Sequence, residues 1–581
     1  MLQLIGMLWI VMAALAQETP KAVESEAPQL PPELATTAEL SGWVKTGRAK
    51  ESLKLCREFQ ARYSDKVRCQ TYGTTPEGRT LHYLVVEDLS FSALKPTLWL
   101  QAGIHAGEID GKDATYWYLR DLLADPKASQ VLKKLRIIFV PIVNLDGHER
   151  FGAHNRPNQR GPEEMGWRVT AENLNLNRDF AKAEAPEMRA LLKLWHEHKP
   201  LLSVDLHVTN GADFQYEVGL VTTPSKFYGS SALHRAGSEL EEQLVSALVQ
   251  KGQKALPFYP SFLDELDPTK GFARYVPQAR FAHGYWRLNN RLGLLVEAHS
   301  WKDYPTRVKT QRAVVETVVQ LLDKNAARWL GAVREEERAK RNSIELAFTH
   351  TEKSSPLDFL GYAYQVIDSQ ISGGKVIRYD TSKPQVLRLP VHHELRPTIS
   401  VKAPRRGYYV AKAEVPWVKA KLKVHGLKYH TVKKELRQSC EVFVTSSKKF
   451  APESFEGRHR LTVEGQWEER DCVIEKGALF VPTDENPQQL VAHLFEPLSS
   501  DSFLAWGHFN RWFERKEYME DYVAEDVARE LLKDPQVKKA FEARLAADEA
   551  FRKDPQQRFE FFYRRHASWD QKYESYPVVR Q

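Results

Sequence analysis

Near-continuous apolar runs at 97–102, 135–143, 201–208 and 292–298 constrain this chain more than any other feature. A strand with one wet face alternates apolar and polar residues. A run such as Leu135-Arg-Ile-Ile-Phe-Val-Pro-Ile-Val has no polar face to offer water and needs cover on both sides. Further strands are predicted at 82–87 and 216–222. Amphipathic helices are predicted between them at 111–124, 184–198, 231–251 and 308–331. Strands and helices that alternate in this way build an α/β layered sheet with helices on both faces.

With 581 residues, the chain exceeds what a single hydrophobic core organises. A highly charged stretch at 326–342 marks a boundary. The α/β region therefore spans 39–332. Beyond it, 343–500 reads as a β-rich accessory domain of short segments separated by turn residues. Residues 501–581 read as a helical C-terminal region, in which Asp534-Pro535 and Asp554-Pro555 each supply a capping side chain and a first helical residue. The uncharged residues 1–16, which end in Ala-Leu-Ala, read as a secretory signal, although the usual basic residue before the apolar stretch is missing. Residues 17–38, rich in Pro, Glu, Ala and Thr, read as a mobile leader. The expected location is secreted or periplasmic, with no stable membrane insertion once the signal is removed. Four cysteines form two local pairs, Cys56 with Cys69 and Cys440 with Cys472, although three connectivities are open. The net charge of +7 is small for the length, and the densest basic stretch, Lys419 to Arg437, carries no nucleic-acid motif. A nucleic-acid partner is therefore not expected.

Three of the apolar runs end in chemistry. The first leads into His105 and Glu108, the third into His207 and the fourth into Glu297. A catalytic zinc needs three nitrogen or oxygen ligands and one open position, with a carboxylate nearby to move protons. His-x-x-Glu alone is weak, since about two or three His-x-x-acid pairs arise by chance in a chain of this composition. The second such pair, His493 and Glu496, has no strand before it and reads as structural. The first is flanked by Gly103 and Gly107, which let the backbone approach an ion closely.

The residues that follow sharpen this reading. Asn155-Arg156-Pro-Asn-Gln-Arg-Gly, Asn175-Leu-Asn177-Arg178, Asp205-Leu-His207 and Val296-Glu297 occur in that order. Over roughly residues 40–330 the ordered set resembles the zinc carboxypeptidases of the funnelin type. That resemblance implies a mixed twisted sheet and one Zn2+ ion held by His105, Glu108 and His207. It implies Glu297 as general base, Arg156 as oxyanion stabiliser, and Asn177 with Arg178 as the clamp on a substrate's terminal carboxylate. The implied partner is a peptide with a free C-terminal carboxylate. Arg160 and Arg168 compete with Arg156, and Tyr275 and Tyr285 compete for the family's mobile tyrosine. Asn175 stands where family members commonly carry Asp to support a metal-binding histidine, and Asp205 is an alternative support.

Two other readings remain open at this stage. One is a zinc amidase acting on cell-wall or modified peptides. The other is a non-catalytic peptide- or glycan-binding protein, which would have no need of Glu297.

Overall fold

The computed structural model describes residues 31–226 and 229–581. The signal call and most of the leader lie outside them. The leader's expected end at 38 falls too late. Leu34 and Ala38 are fully buried, Leu34 in the same core as Leu55 and Phe59, and Thr36 caps a short helix at Thr37–Leu40.

The first half supplies strands β1 Val67–Thr74, β2 Thr80–Val86, β3 Thr97–Ala102, β4 Arg136–Val140, β5 Leu202–Val208, β6 Val218–Thr223, β7 Ala255–Leu256, β8 Phe272–Ala273 and β9 Leu292–Ala298. All but β8 form one mixed sheet in the order β1-β2-β4-β3-β5-β9-β6-β7. Its centre, β4-β3-β5-β9, is parallel, and antiparallel strands flank it. Every residue of β3, β5 and β9 is buried. Side chains alternate between two apolar layers. Leu98, Leu100, Val204, Leu206 and Val296 face one layer, together with the helices Asp110–Ala124, Ala232–Gln250 and Tyr304–Arg338. Trp99, Ile138 and Val140 face the other, against the helices Pro186–His198 and Ala282–Leu288. Each fully buried Leu, Ile or Val stabilises such a layer by about 1.5–3 kcal/mol.

Helix Tyr304–Arg338 starts a turn earlier than the apolar periodicity indicates, because Asp303 accepts from the Thr306 backbone N–H at 2.9 Å and Pro305 suits the first turn. It also carries the chain past residue 332 and takes in the charged stretch as far as Arg338.

The second half contributes β10 Ser343–His350, β11 Ser354–Asp368, β12 Lys375–His392, β13 Leu395–Lys402, β14 Gly407–Val410, β15 His430–Thr431, β16 Leu436–Phe455, β17 Arg458–Ile474, β18 Leu479–Pro482 and β19 Ser575–Arg580. Two long hairpins, β11–β12 and β16–β17, dominate it. The first docks on the other half through β8, which pairs with β12 in parallel. The second lies in a six-stranded sheet of order β15-β18-β14-β19-β16-β17. Tyr408, Val410, Leu490 and Phe495 share one apolar layer with Trp195, Tyr285 and Trp286, so this half is bonded into the first rather than appended to it. The expected helical C-terminal region ends in a strand: β19 inserts between β14 and β16, where Tyr576 and Val578 are buried. Cys56–Cys69 and Cys440–Cys472 are disulfides.

Candidate metal centre

Strand ends build this site. After β3 the chain turns at Gly103, whose φ of +64° suits glycine, and delivers His105 and Glu108 ahead of helix Asp110–Ala124. At Gly107 a Cβ would stand 2.6 Å from both Arg156 Cγ and the Gly166 carbonyl oxygen, so that approach requires glycine. His207 is the sixth residue of β5, and Glu297 pairs with it in register on β9. Ligand atoms of His105, Glu108 and His207 all lie within 4.8 Å of one another, and all three residues are buried.

Orientation is as telling as proximity. Both imidazoles turn Nδ1 toward Glu108, His105 at 3.0 Å and His207 at 2.9 Å. Their other nitrogens are held from behind. Asn175 Oδ1 meets His105 Nε2 at 3.2 Å, and Asp205 Oδ2 meets His207 Nε2 at 2.7 Å. Asp205 is fixed in turn by Gln101, whose Nε2 donates at 3.0 Å, and Gln101 by the Trp99 indole N–H at 2.9 Å. Such backing orients each ring and raises its basicity toward a cation. The donor set fits zinc: two imidazole nitrogens and one carboxylate, with outer partners on both rings.

Electrostatics within the cluster is strongly perturbed. Burial lowers His105 to about 4, against the pull of Glu108. Burial acts the same way on His207, but Asp205 and Glu108 override it and raise this histidine well above its ordinary value. Glu108, which burial alone would raise, is held well below the usual carboxylate range by His105, Arg156 and His207. Burial pushes Glu297 up to about 8, against the attraction of His207 and Arg156, while Glu108 and Asp205 raise it further.

Of the three candidate arginines, Arg156 and Arg168 reach the cluster. Arg156 Nη2 lies 2.9 Å from Glu108 Oε1, and Arg168 Nη1 lies 3.3 Å from the same atom. Arg156 is the more buried, and Gln159 Oε1 and Asn210 Oδ1 accept from its guanidinium. The Arg160 side chain is elsewhere, facing the Trp301 ring. Asn177 is buried, and its Oδ1 accepts from the Ala282 N–H at 3.3 Å. Arg178 lies over the Phe281 ring, 4.6 Å from its centroid, and has no ion-pair partner among the described residues. Burial lowers it, helped by repulsion from Arg168 and opposed by Glu456.

The two tyrosines separate cleanly. Tyr285 is fully buried, with its hydroxyl 2.9 Å from both His196 Nε2 and His425 Nδ1, so it is a core residue away from the cluster. Tyr275 is 42% exposed. Burial and then Glu297 raise it and Arg178 opposes them, so it lies within electrostatic reach of both charged groups.

Sequence reasoning missed two residues here. Tyr259, in an aperiodic loop, feels Glu297, Tyr275 and Glu108. Glu456 sits at the tip of the β16–β17 hairpin, and its Oε2 accepts from the Asn175 N–H at 2.9 Å. Glu-Gly between two β-patterned segments signals a turn, but nothing local signals where that turn lands. The other His-x-x-Glu pair is structural: Glu496 is buried and accepts from Tyr408, Trp467 and Arg580.

Residues 52–218 match the zinc carboxypeptidase family. Carboxypeptidase 2 of Trichophyton rubrum is 24% identical over 459 residues, covering 74% of this chain and 78% of its own. Human carboxypeptidase O is 27% identical over 130 residues, 21% of this chain and 34% of its own. Among solved structures, a putative carboxypeptidase A from Shewanella denitrificans aligns with a TM-score of 0.36 at 21% identity, over 47% of this chain and 69% of its own.

Proposed function

Because the chain carries a zinc carboxypeptidase domain, we propose that it removes C-terminal residues from peptides, with Glu297 as the group that moves the protons. One observation carries this reading: three buried ligand atoms lie within 4.8 Å of one another, and a buried carboxylate is in register beside one of them.

A bound zinc ion would supply positive charge that acidifies water and polarises a carbonyl. His105, Glu108 and His207 would hold it. Glu297 takes a proton from the attacking water and returns it to the departing amine nitrogen. Arg156 donates to the carbonyl oxygen as negative charge gathers there, which lowers the barrier more than it tightens substrate binding. Arg178 and Asn177 hold the terminal carboxylate, and Arg178 has no ion-pair partner among the described residues to compete for it. Tyr275 covers the substrate from the exposed side. Two disulfides favour an exported protein. Among the described residues no helix is long and apolar enough to cross a membrane.

Zinc-loaded protein should hydrolyse N-blocked peptides from the C-terminus. Glu297→Gln should lower kcat by about 10²–10⁴-fold while retaining its zinc. Unchanged kcat in that variant would remove Glu297 from the reaction.

A further inference from the structure

The edge of the central sheet opposite the metal centre opens into a second cleft. His207 and Glu297 stand near the C-terminal ends of β5 and β9, whereas Lys199 precedes β5 and Asn290 and Arg291 precede β9. The strand steps from Leu292 to Glu297 span roughly 16 Å at about 3.3 Å each. Lys199, Asn290 and Arg291 line a cavity of about 370 Å3, whose other wall comes from residues 425–428 and 484–487 of the second half. A cavity of about 580 Å3 lies between the end of helix Tyr304–Arg338 and residues 402–405. The two cavities share Asn290, Glu337, Asp484 and Asn486, so they form one cleft along the junction of the halves.

Charge along this cleft is one-sided. Most of its acids are paired: Glu336 with Arg341, Glu337 with Arg291 at 2.7 Å, and Glu485 with His430 at 2.9 Å. Lys199, Arg338, Lys340, Lys402 and Arg405 are exposed and have no ion-pair partner among the described residues. Among the lining residues, Asp484 is the one acid in the same condition.

The backbone adds to that field. Lys199 closes helix Pro186–His198 at φ +45°, a left-handed position where glycine is usual, and a lysine is held there at a cost. Helix Gln488–Phe495 begins after Pro487, which has no side chain to cap it. Gln488 and Gln489 line the cleft, so the positive end of this helix opens into it. Trp195 is the one indole or phenyl ring among the lining residues, and it is buried with its N–H bonded to Ser203 Oγ at 2.9 Å. Nucleobases therefore find no exposed ring of that kind to stack on.

We propose that this cleft binds a linear polyanion, a chain carrying phosphate or sulfate groups, laid across the junction of the two halves. Arg338 and Arg405 offer guanidinium forks, and the three lysines offer point charges, to successive anionic groups. None of these residues belongs to the metal centre, so the proposal stands or falls apart from the carboxypeptidase reading.

The probes are orthophosphate, tripolyphosphate, long-chain polyphosphate and a sulfated heparin hexasaccharide, titrated calorimetrically into the zinc-loaded protein. The last two tell phosphate from sulfate, and tight binding of either supports the cleft. Affinity should rise by about 10-fold or more from tripolyphosphate to the better long probe, and the slope of log affinity against log salt should be about −3 to −4, near −0.7 per contact. Lys340→Ala combined with Arg405→Ala should weaken binding by about 10-fold and flatten that slope by roughly 1 to 1.5. Lys433→Ala combined with Lys434→Ala, exposed in the densest basic stretch but outside the cleft, should change neither. Equal weakening by the two pairs would reduce the effect to general surface charge and overturn the proposal. Long probes that bind no tighter than orthophosphate would overturn it, as would tighter binding of a single-stranded oligonucleotide of equal charge.

Discussion

The two halves of this molecule meet at one site and contribute to it by different physics. The first half presents His105, Glu108, His207 and Glu297 on or just beyond strands buried on both faces, where backbone position is fixed by the sheet. The second half reaches the same place with the tip of the β16–β17 hairpin, which brings Glu456 to the Asn175 backbone. Strand ends suit chemistry because misplacing a reacting group by about 1 Å can cost roughly 100-fold in rate. Hairpins suit support because they tolerate change without disturbing a core. Glu456 adopts φ +50°, a left-handed conformation that a non-glycine side chain holds at a cost, and it makes its bond to Asn175 from there.

That contrast can be broken most forcefully in the first half. His207→Ala should abolish zinc retention and remove several kcal/mol of transition-state stabilisation, read as metal content and kcat/KM together. Substantial activity in the metal-free variant would end the zinc reading. Replacing Cys440 and Cys472 by serine should lower stability by about 2–4 kcal/mol in denaturant melts and leave zinc binding intact, because this crosslink ties β16 to β17 far from the ligands. Loss of zinc in that variant would show that the halves cannot be separated.

Glu456→Ala should weaken zinc binding by about 10-fold, because Asn175 would be freed to drift from His105. Glu456→Gln, which keeps an oxygen acceptor for the Asn175 N–H, should restore most of it. Equal loss in both variants would mean that charge, not the hydrogen bond, is what matters.

The smallest effect concerns the ion pair that fastens the same hairpin, Arg458 with Glu184. Burial raises the Glu184 carboxyl, but Arg458 and Lys182 together hold it down at about 2, below its ordinary 4.5. A depressed folded value contributes stability above the unfolded value and loses it as pH falls through the folded one. Arg458→Ala should therefore cost about 1 kcal/mol above pH ~4.5, a figure reduced for the solvent that reaches Arg458. The difference from the unmodified protein should shrink toward pH ~2. A difference independent of pH over that window would assign the cost to packing instead.

Much of the first half was legible in its residues. The runs at 97–102 and 292–298 became β3 and β9 with matching bounds, because a strand covered on both faces tolerates few polar residues and advertises itself. β1 was missed: Val67–Thr74 has one fully buried residue and little alternation. β19 was missed because Tyr576 and Val578 gain their burial from β14 and β16, more than a hundred residues earlier in the chain. Distances among the ligands, and the choice of Tyr275 over Tyr285, were not legible either. Spacing along the chain says nothing about which tyrosine lies within electrostatic reach of a carboxylate and which is locked between two histidines.

The amino-acid order by itself determined an α/β layer with ligand-type side chains at its strand ends, since period and residue chemistry are local properties. Tertiary structure alone decided that Asn175 backs His105 and that Glu456 reaches Asn175 from the far half. These are contacts between segments up to 281 residues apart, set by how sheets and hairpins pack rather than by any pattern a short window contains.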